Sequence, residues 1–570
     1  MLDLSSNQLN GSLPDSIGQL TKLVDLDFSW NLLTGVVTEA HFAKLENLKY
    51  LKGSGNNLTL RSTLANWIPP FQIENLDLSS WVLGPEFPSW LQTQTGLERL
   101  QISNTGISSP MPHSFLTSFT HLTVLNMLKN HLRGELALLN ITSLFLFSVD
   151  LSSNEFRGKL PNLSNIIVPT VLDLSNNIFE GSLHQFLCSN GTQSAGFLFL
   201  GNNNLSGVIP DCWDKWPELF SLNFDNNNLS GKIPRTLGSL EGLTTLSMHG
   251  NKLSGTLHYI MNLTSLAILQ LGRNEFVGSI PLGFGKLSNL ILLNLRSNNL
   301  DGNVSPKLCN LTSIQILDLA NNNLSGDIPR CFNKFSVLTG KVNASERLTF
   351  SPFGMITNVI ITESLVMKGR EDTYSNILGL VMLLDLSDNS FSGNIPSELT
   401  SLIKLKSLNL SRNQLTRRIP EKIGDMKALE TLDLSLNKLS GELPMSLSTM
   451  NSLNSFNVSY NKLTGKVPLS TQLQTLNESS FIGNSLCGAP LSDPCVAVDN
   501  TEQQDEDGSH RVDWGFIVSS ISGLIIRFWM VLAPLIVSKA WRIVYFGFLI
   551  KLWYMVYDAM YKYCFNMFSN

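Results

Sequence analysis

One repeated stretch constrains the fold of this chain more than any other feature. Residues Leu429 to Pro444 read LETLDLSLNKLSGELP, and the same leucines, asparagine and Gly-x-x-Pro ending recur along nearly the whole 570 residues. The asparagine returns mostly every 24 residues, with spacings of 23, 25 and 26 as variants. Its positions are Asn7, Asn31, Asn56, Asn130, Asn154, Asn177, Asn203, Asn227, Asn251, Asn274, Asn298, Asn322, Asn389, Asn413, Asn437 and Asn461. Such a fixed period predicts stacked units and not several separate globular domains.

Each unit contains one short strand with two different faces. Leu432 and Leu434 alternate with Asp433 and Ser435, so the leucines point inward and the polar side chains point to solvent. No single unit can bury its leucines, and neighbouring units therefore stack on one continuous core. The spacing L-x-x-L-x-L-x-x-N predicts an α/β solenoid, a right-handed leucine-rich-repeat superhelix of about 18 units.

The repeated asparagine is expected to turn inward where the chain leaves the strand. Its amide can then satisfy backbone groups that would otherwise be buried without a partner. Two units carry Trp81 and Thr105 in this place. We interpret these irregular units either as a bend or altered surface or as ordinary sequence drift.

The regular array is interrupted once, between Asn322 and Asn389, which lie 67 residues apart where one repeat takes 24. Residues 356–367 within this interval are apolar and β-branched, which predicts one or two strands. The predicted order is fourteen repeats over 1–336 (the first incomplete), an insertion over 337–380, four repeats over 381–470, a cap over 471–498, an acidic spacer over 499–513, a transmembrane helix over 514–537 and a short cytoplasmic tail over 538–570.

Six of the seven cysteines fall into three close pairs. Two of the pairs occupy matching places in adjacent units, and the third follows the last repeat. We predict that these pairs form disulfides, which indicates an oxidising compartment; the alternative is six unrelated buried thiols. The pairs are Cys188 with Cys212, Cys309 with Cys331, and Cys487 with Cys495.

About fifteen N-x-S/T sequons favour a secreted, glycosylated surface, although some arise automatically from the repeat. The formal net charge of −5 gives no indication of a nucleic-acid surface. The candidate glycosylation sites are Asn57, Asn140, Asn190, Asn262, Asn310, Asn343 and Asn457.

Residues 514–537 form an apolar segment that is long enough to span a bilayer. Lys539 and Arg542 follow it and acidic residues precede it, so the positive-inside bias places the repeats outside the cell. Arg527 near its middle costs about 2.5–3.5 kcal/mol, which the surrounding Ile, Leu, Val and Phe residues can outweigh. We predict a single-pass plasma-membrane protein of type I; the alternative is a hydrophobic tail in a decayed reading frame.

The chain begins inside a repeat, with MLDLSSNQLNGSLP. Neither a secretion signal nor an N-terminal cap precedes this first unit in the sequence. We interpret the chain as an N-terminally truncated product, with a functional short form as the alternative.

The sequence shows no catalytic signature. It contains no H-E-x-x-H, P-loop or G-x-S-x-G motif, and its histidines have no metal-ligand spacing. The residues after the predicted span are too few for a kinase domain. We therefore expect a protein that is not an enzyme and has no catalytic residue, no metal and no cofactor.

Several motifs together resemble the plant leucine-rich-repeat receptor-like proteins, most closely the immune branch that includes receptors for fungal xylanase. Leu317 to Pro329 matches the plant extracellular form of the repeat. Within the insertion, VMKGREDTYSNIL resembles a family stretch through Lys368, Gly369 and Tyr374, and the tail after Trp541 resembles the family's juxtamembrane motif. The order of repeats, insertion, cap, spacer, span and tail also follows that of the family.

The resemblance implies a cell-surface immune receptor that recognises a microbial protein or peptide and signals through an adaptor receptor kinase and a co-receptor kinase. It places co-receptor contact on the insertion, through Lys368, Gly369 and Tyr374, and on the last four repeats. In the span, family members carry small-xxx-small spacing, whereas this chain has Gly523 followed by Arg527, which predicts weaker adaptor pairing.

Ligand binding is expected where outward strand positions depart from the repeat's Asp and Ser. We predict a mixed aromatic and charged strip, with solvated variation as the alternative. Its residues are Phe199, Asp225, Ser247, His249, Gln270, Arg273 and Arg296. A rival patch consists of Arg99, Gln101 and Lys129.

Three other functions remain open beside the defence receptor. The same surface could belong to a secreted or wall-bound inhibitor of a microbial hydrolase, or to a developmental receptor-like protein for small peptides. The chain could also be an inactive truncated paralogue. The predicted span and acidic spacer favour the receptor.

Overall fold

The computed structural model describes residues 1–495 except 63–66, 113, 137–145, 164–167, 190, 344–348, 351–358, 361–362, 368–369, 375–377 and 493–494. The chain divides into two compact units, Met1–Cys495 and Val496–Asn570. The second unit, with the predicted spacer, span and tail, lies outside the described residues. Within the described part, no helix has the length and apolar character that crossing a membrane requires.

The first unit is a solenoid in which every coil adds one strand to a single parallel sheet of 18 strands. The central residue of each strand is apolar, in most strands leucine, and lies beside the central apolar residue of the next coil, as in the pair Leu26 and Leu51. This agrees with the predicted stacking of the repeats. The strands are Leu2–Asp3, Asp25–Asp27, Tyr50–Lys52, Asn75–Asp77, Arg99–Gln101, Val124–Asn126, Ser148–Asp150, Val171–Asp173, Phe197–Phe199, Ser221–Asn223, Thr245–Ser247, Ile268–Gln270, Leu292–Asn294, Ile316–Asp318, Leu383–Asp385, Ser407–Asn409, Thr431–Asp433 and Ser455–Asn457.

A second set of parallel strands is formed by the L-S-G-x-I/L-P part of the repeat. Its glycine adopts a positive φ, as at Gly441 (φ 84°), where a side chain would also meet Arg418 of the preceding coil. These strands form sheets of ten, three and four members. They are Asn10–Gly11, Leu32–Val37, Asn57–Leu60, Arg133–Glu135, Glu155–Lys159, Ile178–Gly181, Asn204–Val208, Asn228–Lys232, Lys252–Gly255, Glu275–Ser279, Asn299–Asn303, Asn323–Asp327, Ser390–Ser392, Thr416–Arg417, Lys438–Gly441, Lys462–Lys466 and Ser485–Cys487.

Most described coils return through a short helical turn, often begun by the proline that ends the second strand. Pro444, for example, precedes the turn Met445–Thr449 with φ −58°. Two α-helical turns, His184–Leu187 and Thr471–Gln474, replace the 3-10 form. The 3-10 turns are Asp15–Gln19, Glu39–Phe42, Ser89–Thr93, Leu116–Ser118, Trp213–Lys215, Arg235–Ser239, His258–Asn262, Leu282–Lys286, Pro306–Asn310, Arg330–Lys334, Leu378–Leu380, Ser397–Ser401, Glu421–Asp425, Met445–Thr449 and Glu478–Ser480.

The repeated asparagines join neighbouring coils through their amides, as the sequence predicted. The Nδ2 of Asn437 donates to the carbonyl oxygens of Leu410 (2.9 Å) and Leu434 (3.2 Å), and its Oδ1 accepts from the Leu415 amide (3.0 Å). Each such side chain satisfies backbone groups of its own coil and of the one before. A similar asparagine, Asn484, occurs in the cap and accepts a hydrogen bond from the Leu463 amide (3.0 Å).

The two irregular units keep this connection with different chemistry. The Nε1 of Trp81 donates to the carbonyl of Gly53 in the preceding coil (2.8 Å), and the backbone amide and Oγ1 of Thr105 donate to Oδ1 of Asn130 in the following coil (3.0 and 2.9 Å). Both side chains are almost fully buried. The substitutions therefore preserve a buried donor and do not interrupt the sheet.

The insertion contains two strand pairs in the residues that the structure describes. Thr349–Phe350 pairs with Val359–Ile360, and Glu363–Met367 pairs with Arg370–Tyr374, both antiparallel. Two of these strands fall in the range whose composition predicts strands. The main sheet continues across the insertion, because Leu317 lies directly beside Leu384.

Candidate ligand-binding surface

The outward face of the main sheet is formed by two positions in each strand. We call the residue before the central leucine the first outward position and the residue after it the second. The second position is at least partly exposed in thirteen strands, but it is buried in five adjacent ones. The buried residues are Ser247, Gln270, Asn294, Asp318 and Asp385, with 0–3% exposure.

This burial divides the sheet into two regions. The covered face comprises the outward side chains of Thr245–Ser247, Ile268–Gln270, Leu292–Asn294, Ile316–Asp318 and Leu383–Asp385. The open face comprises those of Val124–Asn126, Ser148–Asp150, Val171–Asp173, Phe197–Phe199 and Ser221–Asn223. The strands of the two faces follow one another in the same parallel sheet.

The covered face is closed by contact with the insertion. The first outward positions of four strands are apolar and form a separate hydrophobic cluster with Leu365 of the insertion, which is 0% exposed. Leu365 lies in the strand Glu363–Met367, so this hairpin packs on the sheet. The cluster contains Ala267, Ile268, Leu292, Ile316, Leu365, Val381 and Leu383.

An ionic cluster lies beside these apolar residues. The Nε of Arg296 is 2.7 Å from Oδ2 of Asp318, and its Nη2 contacts Oδ2 of Asp385. Burial raises the pKa of Asp318 to about 6, against the opposing effect of Arg296. Although burial alone would lower the pKa of Arg296, the two carboxylates raise it. Arg296 thus holds two buried acids together on strands that flank the insertion.

A hydrogen-bonded chain connects the covered face to the open one. The Oγ of Ser247 lies 2.6 Å from Oδ1 of Asp225 and 2.5 Å from Oε1 of Gln270. The same Oδ1 accepts from the backbone amide of His249 (2.7 Å). Burial raises the pKa of Asp225 to about 6, while these hydrogen bonds act in the opposite direction. Asp225, Ser247 and Gln270, three of the predicted ligand residues, are therefore joined to one another by hydrogen bonds.

The open face carries two carboxylates and an aromatic side chain on consecutive strands. Asp150, Asp173 and Phe199 occupy the second outward positions and are half-buried. Burial, together with the charge of Asp150, raises the pKa of Asp173 to about 7. Burial likewise raises the pKa of Asp150. The ring of Phe199 lies 6.3 Å from that of Phe197.

The structure does not bring the seven predicted ligand residues into one open strip. Ser247 and Gln270 are buried, and Arg296 is held by two acids. Phe199 and His249 are half-buried, and Arg273 is exposed. Of the rival patch, Arg99 and Gln101 are half-buried on one strand and Lys129 is exposed.

The remaining predicted site residues lie at several places. The cysteine pairs Cys188–Cys212, Cys309–Cys331 and Cys487–Cys495 are joined in the structure, with Cα–Cα distances of 5.7, 5.8 and 5.1 Å. Asn57, Asn262, Asn310 and Asn343 are exposed, and Asn457 is half-buried on a strand. The backbone of Tyr374 ends a hairpin strand. Asn140, Asn190, Lys368, Gly369, Gly523 and Arg527 lie outside the described residues.

Sequence reasoning missed Leu365 and the covered face. A signal was present, since Ile268, Leu292, Ile316 and Leu383 put large apolar side chains at outward positions that are polar in many other units. Consecutive apolar outward positions indicate that a further element covers them. No potential metal site of three His, Cys, Asp or Glu residues occurs in the part of the chain that the structure describes.

Comparison with known proteins agrees with the fold. The leucine-rich-repeat family matches residues 197–253 and 403–463 in one form and 1–20, 313–335 and 381–402 in another. The LRR ectodomain of the Arabidopsis thaliana receptor kinase GASSHO1/SCHENGEN3, solved with CASPARIAN STRIP INTEGRITY FACTOR 2, is similar with a TM-score of 0.62 and 28% identity, covering 87% of this chain and 59% of that one. The PEPR1–AtPEP1 structure has a TM-score of 0.57 and 28% identity, with coverages of 85% and 72%.

Two curated relatives from Solanum lycopersicum match most of the sequence. Receptor-like protein EIX2 is 46% identical over 531 residues, and Receptor-like protein EIX1 is 44% identical over 536 residues. These alignments cover 90% and 91% of this chain but 51% of each relative. The chain thus spans about half the length of the curated relatives it matches.

The repeats and the parallel sheet define a leucine-rich-repeat solenoid of the type found in receptor ectodomains. Over about nine tenths of its length the chain is similar to the plant leucine-rich-repeat receptor-like proteins EIX2 and EIX1, which agrees with the resemblance found in its motifs.

Proposed function

We propose that this chain is a cell-surface receptor-like protein of plant defence, which binds an extracellular microbial protein or peptide and signals through partner receptor kinases. The support is the identity to receptor-like proteins over 90% of the chain. Several similar ectodomain structures are complexes with a peptide, and one, HAESA with IDA, also contains the co-receptor SERK1. A solenoid with a long outward sheet face suits such a role, since it offers many side chains along one surface.

The division of the sheet into open and covered faces is the observation on which the proposed site depends. The second outward positions of the covered face are 0–3% exposed, so a ligand cannot reach them while the insertion hairpin is in place. We therefore assign ligand contact to the open face, with Phe199 at its centre. Arg273 and His249, at the ends of neighbouring strands, extend this surface at its edge.

The covered residues acquire a different role. Ser247, Gln270 and Arg296 hold adjacent strands together beneath the hairpin and shape the surface on which it rests. Co-receptor contact is assigned to the insertion, through Lys368, Gly369 and Tyr374. The last four repeats, which follow at residues 381–470, provide the adjoining surface.

Membrane attachment and kinase pairing complete the proposal. Residues 514–537 span the plasma membrane, with the repeats, three disulfides and N-linked glycans on the outer side. The chain signals through an adaptor kinase that pairs with this span near Gly523, and Arg527 weakens that pairing. No enzymatic step is assigned to the chain itself.

Membrane fractionation and co-precipitation test this function. The full chain, fused to a cleavable secretion signal and an epitope tag, is expressed in leaves. It is expected in the membrane fraction, to carry N-glycans and to co-precipitate an adaptor receptor kinase. Arg527→Gly is expected to increase the amount of kinase recovered, and Lys539→Gln outside the span serves as control. Recovery in the soluble apoplastic fluid, without kinase, would overturn the receptor proposal.

A further inference from the structure

The open face has an aromatic side chain where the repeat usually places aspartate. Phe199 lies between Asp173 and Asn223 in the row of second outward positions. It is half-buried, and the ring of Phe197 beside it lies 5.4 Å from the ring of Phe220. The three rings make an apolar platform in which Phe197 is buried, at 3% exposure, and Phe199 and Phe220 are half-buried.

Among the residues that the structure describes, the acids next to this platform have no ion-pair partner. In Asp150 and Asp173, Oδ1 accepts from the hydroxyl of the serine two residues later, at 2.6 Å in both cases. The ion pairs found in the described part of the chain include neither acid. On the covered face, by contrast, Arg296 bridges the equivalent Asp318 and Asp385. Two aspartates at the second outward position of adjacent strands are thus neutralised by an arginine of the chain on the covered face. On the open face, the corresponding two aspartates can accept a cation from a ligand.

A cation above this row would meet two favourable groups at once. It would relieve the repulsion between carboxylates on adjacent strands, which is strong because both are partly removed from water. It would also lie near the face of Phe199, where the ring quadrupole attracts positive charge. An apolar neighbour on the same ligand would cover the platform of rings.

We propose that Asp150, Asp173 and Phe199 form a subsite for a lysine or arginine side chain that stands next to an apolar side chain in the ligand. The inference rests on the proposed function, since it names the chemistry that the receptor recognises on its protein or peptide ligand. Neighbouring strands are about 4.8 Å apart and an extended peptide advances about 3.3 Å per residue, so the two side chains lie one or two positions apart.

Selection from a displayed library of random 12-residue peptides tests the subsite on the detergent-solubilised full chain. Selected peptides are expected to be enriched in Lys or Arg one or two positions from an apolar residue. Phe199→Asp, which restores the usual residue of the repeat, is expected to weaken their binding at least about tenfold. Asp173→Gln, which removes the charge without creating an N-x-S sequon, is expected to weaken it about threefold to tenfold and to reduce its dependence on salt.

The matched control is Asp433→Gln, which changes charge at the same strand position outside the subsite and is expected to leave binding unchanged. Phe199→Leu keeps an apolar side chain without the ring quadrupole and is expected to lose part of the affinity; it replaces Phe199→Asp if that variant unfolds. Peptides that are acidic, or whose affinity is unchanged by the substitutions at both positions 173 and 199, would overturn the proposal. Kinase pairing and membrane recovery do not enter this assay, so its failure is separate from failure of the proposed function.

Discussion

The open and covered faces are built from the same repeat, yet they differ in what they can contact. Asp150 and Asp173 on the open face and Asp318 and Asp385 on the covered face occupy the same position in paired strands. The first two are half-buried and have no ion-pair partner among the described residues, while the other two are buried around Arg296. The difference shows that a strand position acquires its role from what covers it. The following predictions test this difference, from the largest expected effect to the smallest.

Replacing Arg296 by methionine is expected to lower the free energy of unfolding by about 3–5 kcal/mol, because it leaves two buried carboxylates without a cation. Urea unfolding of the full chain measures this effect. Arg235→Ala, at the exposed start of a 3-10 turn, is the control and should change stability by about 0.5 kcal/mol or less. An equally small effect at Arg296 would mean that the covered face does not depend on this ionic cluster.

Replacing Leu365 by alanine is expected to lower the free energy of unfolding by about 2–5 kcal/mol, because the covered face is a closed hydrophobic core. Hydrogen exchange should become faster in the strands from 268 to 385 and stay unchanged in those from 124 to 223. Leu380→Ala is the control, because Leu380 is 53% exposed. Unchanged exchange in the covered strands would show that the hairpin does not protect them.

Asp173→Asn tests the unneutralised acids of the open face through the pH dependence of stability. The pKa of Asp173 is about 7 in the folded chain and 3.8 as an ordinary value, so the folded state holds an extra proton between these limits. The free energy of unfolding therefore falls as the pH rises from about 4 to about 7, and it remains lower by this amount at higher pH. Asp150 on the preceding strand is the facing acid, whereas the following strand presents Phe197 and Phe199.

The asparagine variant is accordingly expected to unfold like the parent near pH 4 and to be more stable by about 1–3 kcal/mol near pH 8. Its amide oxygen can still accept the hydrogen bonds from Ser175, as Asn409 does from Ser411. Asp433→Asn is the matched control, because its neighbours in register are Asn409 and Asn457. An equal gain in stability at positions 173 and 433 would mean that repulsion between Asp150 and Asp173 does not destabilise the open face.

Phe199→Asp is expected to have the smallest effect on stability, about 1 kcal/mol or less, because the second outward position accepts aspartate in many coils. Gln270→Asp makes a comparable change on the covered face and should destabilise more, since the new charge is buried. Thermal unfolding of the two variants side by side measures the difference. Similar losses at both positions would remove the distinction between an open and a covered face.

Much of the fold follows from the sequence because its determinants are local or repeated. The strand register is set by leucines one coil apart, and Asn437 bonds only to its own and the preceding coil. Even Trp81 could be placed correctly, since any buried donor suits that position. The candidate site could be predicted only in part: Phe199 was identified by its departure from the repeat, but Ser247 and Gln270 were expected to be exposed.

The sequence alone thus determined the solenoid, the place of the insertion and the likeness to receptor-like proteins, because a fixed period repeats the same short-range constraint in every coil. Only the tertiary structure decided which part of the sheet remains open. Leu365 belongs to the same hydrophobic cluster as Ile268 and Leu292 of earlier coils, and the hairpin that carries it is not part of the repeat. Contacts of this kind depend on where an irregular segment folds back, and the period of the repeat carries no information about that.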